Sequence, residues 1–88
     1  MIIDCHVHVY PPEVIRDAGK IAETEEHFAL LIGGKVHRWA SAEDVIARMD
    51  EDGVDESWIF GFAFRDPGLC ALCNDYVIEA VRNYPGRL

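Results

Sequence analysis

The chain has 88 residues, of which 50% are apolar and 27% charged, so it is globular rather than disordered and holds one domain at most. Sixteen acidic against eight basic side chains give a net charge of −8, which argues against nucleic-acid backbones and anionic lipid as partners. No apolar run approaches the roughly 18–20 residues that span a bilayer, and the first residues form no secretory leader. The cysteine count is three, an odd number without the rhythm of a disulfide scaffold, which points to a reducing cytoplasm.

Residues 2–9 alternate in polarity with period two and are rich in β-branched side chains, the pattern of a strand. Strict alternation sends Ile3, Cys5, Val7 and Val9 to a dry face, and Asp4, His6 and His8 to a wet one. Pro11 and Pro12 end the strand, and Pro12 suits a first helical position because its missing N–H is not needed there. A helix is predicted over 13–26, with Val14, Ile15, Ala18 and Ile21 or Ala22 on one face. The stretch from His27 to Trp39 reads as an insertion with a short helix or strand inside, broken at Gly33-Gly34.

Ser41 is a good N-cap and Asp44 stands three residues on, close to a capping box. Ala42, Val45, Ile46 and Met49 form the apolar stripe of that helix, and Gly53 supplies its stop. Residues 56–64 read as a second strand, apolar on both faces, which suits a buried parallel strand. Asp66-Pro67 then marks an N-cap and first helical residue. The last helix runs to about Tyr84, with Cys73, Tyr76, Val77 and Ala80 on one face. Strands alternating with helices argue for parallel α/β units.

The chemistry concentrates in Asp4-Cys5-His6-Val7-His8. Two histidines two apart on a strand project from the same face, about 6–7 Å apart along the backbone. Neutral imidazoles so placed can converge on one divalent metal, zinc first among them. On the same alternation Asp4 would lie beside them and orient a ligand. The competing reading is a solvated strand face, since two ligands are short of zinc's usual four. Cys70-Ala71-Leu72-Cys73 places two thiols about one helical turn apart. Packing cysteines, a redox pair and half of a zinc site are all compatible with that spacing. Cys5, on the dry face, reads as core. His27 and His37 read as loop histidines. Arg38 and Arg65 could each meet an acidic small-molecule substrate, and Arg65 is the better placed, just past the second strand. The acidic run from Asp50 to Asp55 lacks the ligand spacing of a calcium loop and reads as a solvated turn.

The segment Ile3-Asp4-Cys5-His6-Val7-His8, followed by Pro11, resembles the first strand of the amidohydrolase superfamily. It is most similar to the branch that includes aminocarboxymuconate-semialdehyde decarboxylase and related metal-dependent hydrolases. Met49-Asp50-Glu51-Asp52-Gly53-Val54-Asp55 resembles that family's helix-to-strand turn. Asn74-Asp75-Tyr76, with Tyr84-Pro85-Gly86-Arg87, resembles its second helix and exit. The resemblance implies a (β/α)8 barrel of which residues 1–88 are one partial domain, the first two βα units, truncated before a third strand. A full barrel takes about 250 residues. It implies that His6 and His8 ligate a catalytic divalent metal, while the remaining ligands come from strands this chain lacks. The implied activity is hydrolysis of a C–N or C–O bond by metal-activated water, or non-oxidative decarboxylation of a small acid. The 88-residue chain alone would be inactive. A quarter barrel would leave Trp58, Phe60, Phe62 and Phe64 short of cover, so it should form homo-oligomers. The alternative is a small non-catalytic zinc domain built from His6, His8, Cys70 and Cys73.

Overall fold

A computed structural model describes residues 1–34 and 37–88. Strand β1 spans Ile3–His8 and pairs in parallel with β2, Glu56–Phe60. Between them, among the described residues, lie helices α1 (Pro12–Arg16), α2 (Ala18–Ala22), α3 (Glu26–Ile32) and α4 (Ala42–Asp52). Helix α5, Pro67–Asn83, follows β2.

Two βα units of a (β/α)8 barrel are therefore not what the chain presents. It forms a small α/β domain around a two-stranded parallel sheet, with five helices among the described residues. The first strand leads into a run of short helices rather than one crossover helix. The reason is local. The single helix predicted over 13–26 breaks at Asp17, whose backbone leaves the helical region at φ −100° and ψ 17°. Gly19 in the next helix further lowers its propensity. The insertion contains a helix, α3, that turns Phe28 into the core. The second strand ends at Phe60, four residues before its predicted end.

Two predicted caps form as read. Ser41 Oγ accepts from Asp44 N–H at 3.2 Å, and Asp44 Oδ2 accepts from Ser41 N–H at 3.0 Å. The carboxylate's bonds to Ser41 hold the Asp44 pKa below its ordinary value. Asp66 accepts from the backbone of Gly68 and Leu69 at the start of α5. Gly53 takes a left-handed φ of +74°, the helix stop that glycine alone adopts without strain.

Two apolar clusters hold the layers. One, Val9, Val45 and Met49, packs α4 under the sheet, with Ile59, Tyr76 and Val77 at its margin. The Tyr76 hydroxyl ties the layers by accepting from Ala42 N–H at 2.8 Å. The other cluster centres on Phe28, which is fully buried against Tyr10, Val14, Phe64 and Cys73. Phe64 is thus covered rather than bare, while Trp58 is 56% exposed as its position in an uncovered sheet demands.

Glu25, in the turn between α2 and α3, is 4% exposed, a rare place for a carboxylate. Its two oxygens accept from the backbone N–H groups of Arg65 (2.7 Å) and Asp66 (3.0 Å). One side chain so joins the insertion to the entry of α5. Glu25→Ala should cost about 1–3 kcal/mol, because two donors lose a charged acceptor. Glu25→Gln, which keeps one acceptor, should cost less. Urea unfolding of the two variants checks the order, and equal midpoints would contradict the assignment.

Candidate metal and substrate site

The register of the sheet decides which side chains share a face. Ile3 pairs with Glu56 and Asp4 with Ser57, but Val7 pairs with Ile59 and His8 with Phe60. Three steps along β1 thus match two along β2, which is a β-bulge in β1. The extra residue reverses the alternation. Asp4 falls on the helix-covered face with Ser57, Val7 and Ile59. Ile3 and His8 fall on the uncovered face with Glu56 and Phe60.

His6 joins His8 on that uncovered face. Their ring centroids are 5.3 Å apart, with planes at 72°. Phe60 packs edge-on against both, at 4.7 Å from His6 and 4.4 Å from His8. The Tyr10 ring lies nearly parallel to His8 at 6.4 Å. Both histidines are exposed, so their nitrogens are open to a ligand. Partial burial, then the neighbouring His6, lowers the His8 pKa below the ordinary histidine value, against an opposing backbone contact from Gly61. His8 is therefore neutral near pH 7, the form that ligates metal.

Two imidazoles this close are within reach of one divalent ion. With Zn–N bonds of about 2.0–2.1 Å, each ring centroid lies ~3.1 Å from a shared ion. A 5.3 Å separation would then subtend about 117° at a shared ion. Among the described residues, no three His, Cys, Asp or Glu side chains gather to hold a metal, so no third donor joins the pair.

Asp4 stands apart from the two rings. Its carboxylate lines a groove with Val7, Asp44, Val45 and Arg48 on the helix side, and neither histidine borders that groove. It does accept from the His6 backbone N–H, at 3.2 Å. Asp4 thus touches the main chain of His6 across the bulge rather than an imidazole. Cys5, read as core, is exposed, because the bulge removes it from the dry face.

The cysteine pair does not reach the histidines. Cys73 is 2% exposed and packs in the core, where burial raises its thiol pKa. Cys70 Sγ lies 3.1 Å from the carbonyl oxygen of Phe64 and donates to it. Cys73 also explains Gly61: a Cβ there would come within 2.8 Å of the Cys73 Cβ. Only glycine lets the chain leaving β2 pass this close to α5, and the same residue's backbone touches His8.

A cavity of about 230 Å³ opens beside His8, lined by Tyr10, Leu31, His37, Arg38 and Phe62. Arg38 rather than Arg65 is the cation at this cavity. Arg65 is exposed, and its backbone is held by Glu25. His37 packs edge-on against Trp39 at 4.4 Å. Its Nε2 is buried with no hydrogen-bond partner among the described residues. His27, on α3, is exposed. Phe60, Tyr10 and Glu25 carry no sequence signal of a role here. Each is an ordinary residue type whose place follows from the tertiary fold.

No family model, curated protein or solved structure matches this chain. Among the described residues, no helix is long and apolar enough to cross a membrane.

Proposed function

We propose that this chain supplies the metal-binding half of a divalent-metal-dependent hydrolase, of the amidohydrolase type that its first strand resembles. The supporting observation is the pair His6 and His8, both exposed, with ring centroids 5.3 Å apart, within reach of a shared ion. A zinc ion held there would polarise a carbonyl and bring the pKa of bound water to about 7. The chain's own residues do the positioning. Phe60 fixes both imidazoles from below, and Asp4 holds the bulge that turns His6 toward His8. Arg38 receives an anionic group of a small substrate in the cavity beside His8. The bond cleaved is C–N or C–O. Two ligands leave the set incomplete, so the 88-residue chain by itself is inactive. Its three free cysteines suit a reducing cytoplasm.

Equilibrium dialysis against zinc tests this reading. The wild-type chain should retain zinc, and the double variant His6→Ala/His8→Ala should not. Cys70→Ala/Cys73→Ala should bind as the wild type does. Zinc binding that survives loss of both histidines, or that disappears with the two cysteines, would overturn the proposal and favour a small zinc domain.

A further inference from the structure

Cys70 and Cys73 do not join the histidines, yet both face the stretch that links β2 to α5. Residues three apart on a helix share a side and stand about 5–6 Å from each other. Cys73 meets the start of the link. A Cβ on Gly61 would fall 2.8 Å from the Cys73 Cβ and 3.6 Å from its sulfur, so glycine is what brings the chain this close. Cys70, half-buried, meets the link further on, where its Sγ donates to the Phe64 carbonyl oxygen at 3.1 Å. Phe64 is 6% exposed, and among the described residues Cys70 is the donor its carbonyl has. Between the two contacts the chain turns tightly, with Phe64 N–H donating to the Phe62 carbonyl at 3.1 Å. That turn draws Gly61 and Phe64 together, toward the spacing of the two thiols.

Phe62 is the side chain seated by these contacts. It lines the cavity beside His8 together with Arg38, and its ring packs 5.5 Å from Phe28 and 5.0 Å from Phe64. The link is anchored at both ends. Phe60 pairs with His8 in the sheet before it, and Glu25 holds the backbone of Arg65 and Asp66 after it. The part between those anchors, which carries Phe62, is the part the two cysteines touch.

We propose that Cys70 and Cys73 are positioning residues for the cavity beside His8. They clamp Gly61 and Phe64 against α5, and so hold the Phe62 ring as a wall against which a small anionic substrate rests. This rests on the reading of that cavity, with Arg38, as the substrate's place. The spacing of the two thiols is compatible with packing, redox chemistry or half a zinc site, and the fold uses it as a brace for a loop.

The test is a benzoate titration of the full 88-residue chain, followed by nuclear magnetic resonance at Arg38 and Phe62, with urea unfolding of each variant alongside. Benzoate carries one carboxylate on an apolar ring, which suits apolar walls with one cation. Cys70→Ala should weaken benzoate binding by about tenfold, the lower end for loss of a supporting contact. Cys70→Ser keeps a donor for the Phe64 carbonyl and should restore most of the affinity. Gly61→Ala should weaken binding likewise, and adding Cys73→Gly to it should recover binding, because the missing Cβ has only moved across the contact. Ala80→Gly loosens α5 about two turns beyond Cys73 and should leave benzoate binding unchanged. Unchanged affinity in Cys70→Ala, or a loss that Cys70→Ser does not restore, would overturn the brace. An equal loss in Ala80→Gly would also overturn it, since affinity would then follow stability alone. A wild-type chain that binds no benzoate would overturn the cavity reading as well, while zinc retention by His6 and His8 is measured apart from both.

Discussion

Replacing His8 by alanine is expected to weaken zinc binding by more than the roughly 10–100-fold that loss of a mere supporting contact costs. On the proposed reading it removes one of two protein ligands, and the one whose ring is best fixed, between Phe60 at 4.4 Å and Tyr10 at 6.4 Å. The fold should survive, because the side chain is exposed and contributes little to either apolar cluster. Isothermal titration with zinc measures the loss, and circular dichroism confirms the fold. Acid should act in the same direction. Protons compete with metal for neutral imidazole, so affinity falls as the pH drops through the histidine pKa. The His8 value lies below the ordinary one, so its share of the affinity persists to lower pH than a free imidazole's would. An affinity unchanged in His8→Ala, or flat from neutral to mildly acid pH, would remove His8 from the site.

Phe28→Ala should be the most destabilising single change to the core, at about 3–5 kcal/mol. Phe28 is 0% exposed, and its ring lies 5.0 Å from Phe64, 5.5 Å from Phe62, 5.9 Å from Trp39 and 6.5 Å from Tyr10. Removing it strips the common neighbour from four aromatic rings that come from three separate stretches of chain. A small domain has about 0.05–0.15 kcal/mol of stability per residue, so the loss is comparable with the whole. Thermal unfolding followed by near-ultraviolet circular dichroism should show a much lower midpoint or no native signal at all. The cavity beside His8 depends on the same cluster through Tyr10 and Phe62, so ligand capture should fail together with stability. A variant that unfolds within about 1 kcal/mol of the wild type would show that the rings close over the gap.

Much of the scaffold could be read from local signals, because helix caps act over three or four residues. Ser41 with Asp44, Gly53, and Asp66 with Pro67 each carry their own chemistry, and α4 and α5 begin where those residues say. What escaped depends on contacts far apart in sequence. The bulge in β1 is set by pairing with β2, some fifty residues away, so alternation alone put Asp4 beside the histidines and Cys5 in the core. The break at Asp17 interrupts a face that looked continuous. The barrel expectation comes from the resemblance of three short segments to a family, and short segments do not fix how many helices a crossover holds. At the site, the histidine pair was legible because it sits within three residues. Arg38 was ranked below Arg65 because Arg65 follows a strand, yet the cavity at His8 is lined from the insertion. Glu25 gave no signal, being one carboxylate in an acidic stretch until the loop before α5 folds onto it.

The two indoles sit at opposite stations of the molecule, and this gives it a built-in optical gauge. Trp39 lies in the aromatic cluster, edge-on to Tyr10 at 5.0 Å and to His37 at 4.4 Å. Trp58 stands in solvent on the sheet, its ring nitrogen donating to Glu56 at 3.3 Å. Emission should therefore divide into a blue component that reports the interior and a red component that reports the sheet surface. A water-borne quencher would extinguish the second and largely spare the first. Whatever covers the sheet will change one colour of the protein's own light and leave the other in place.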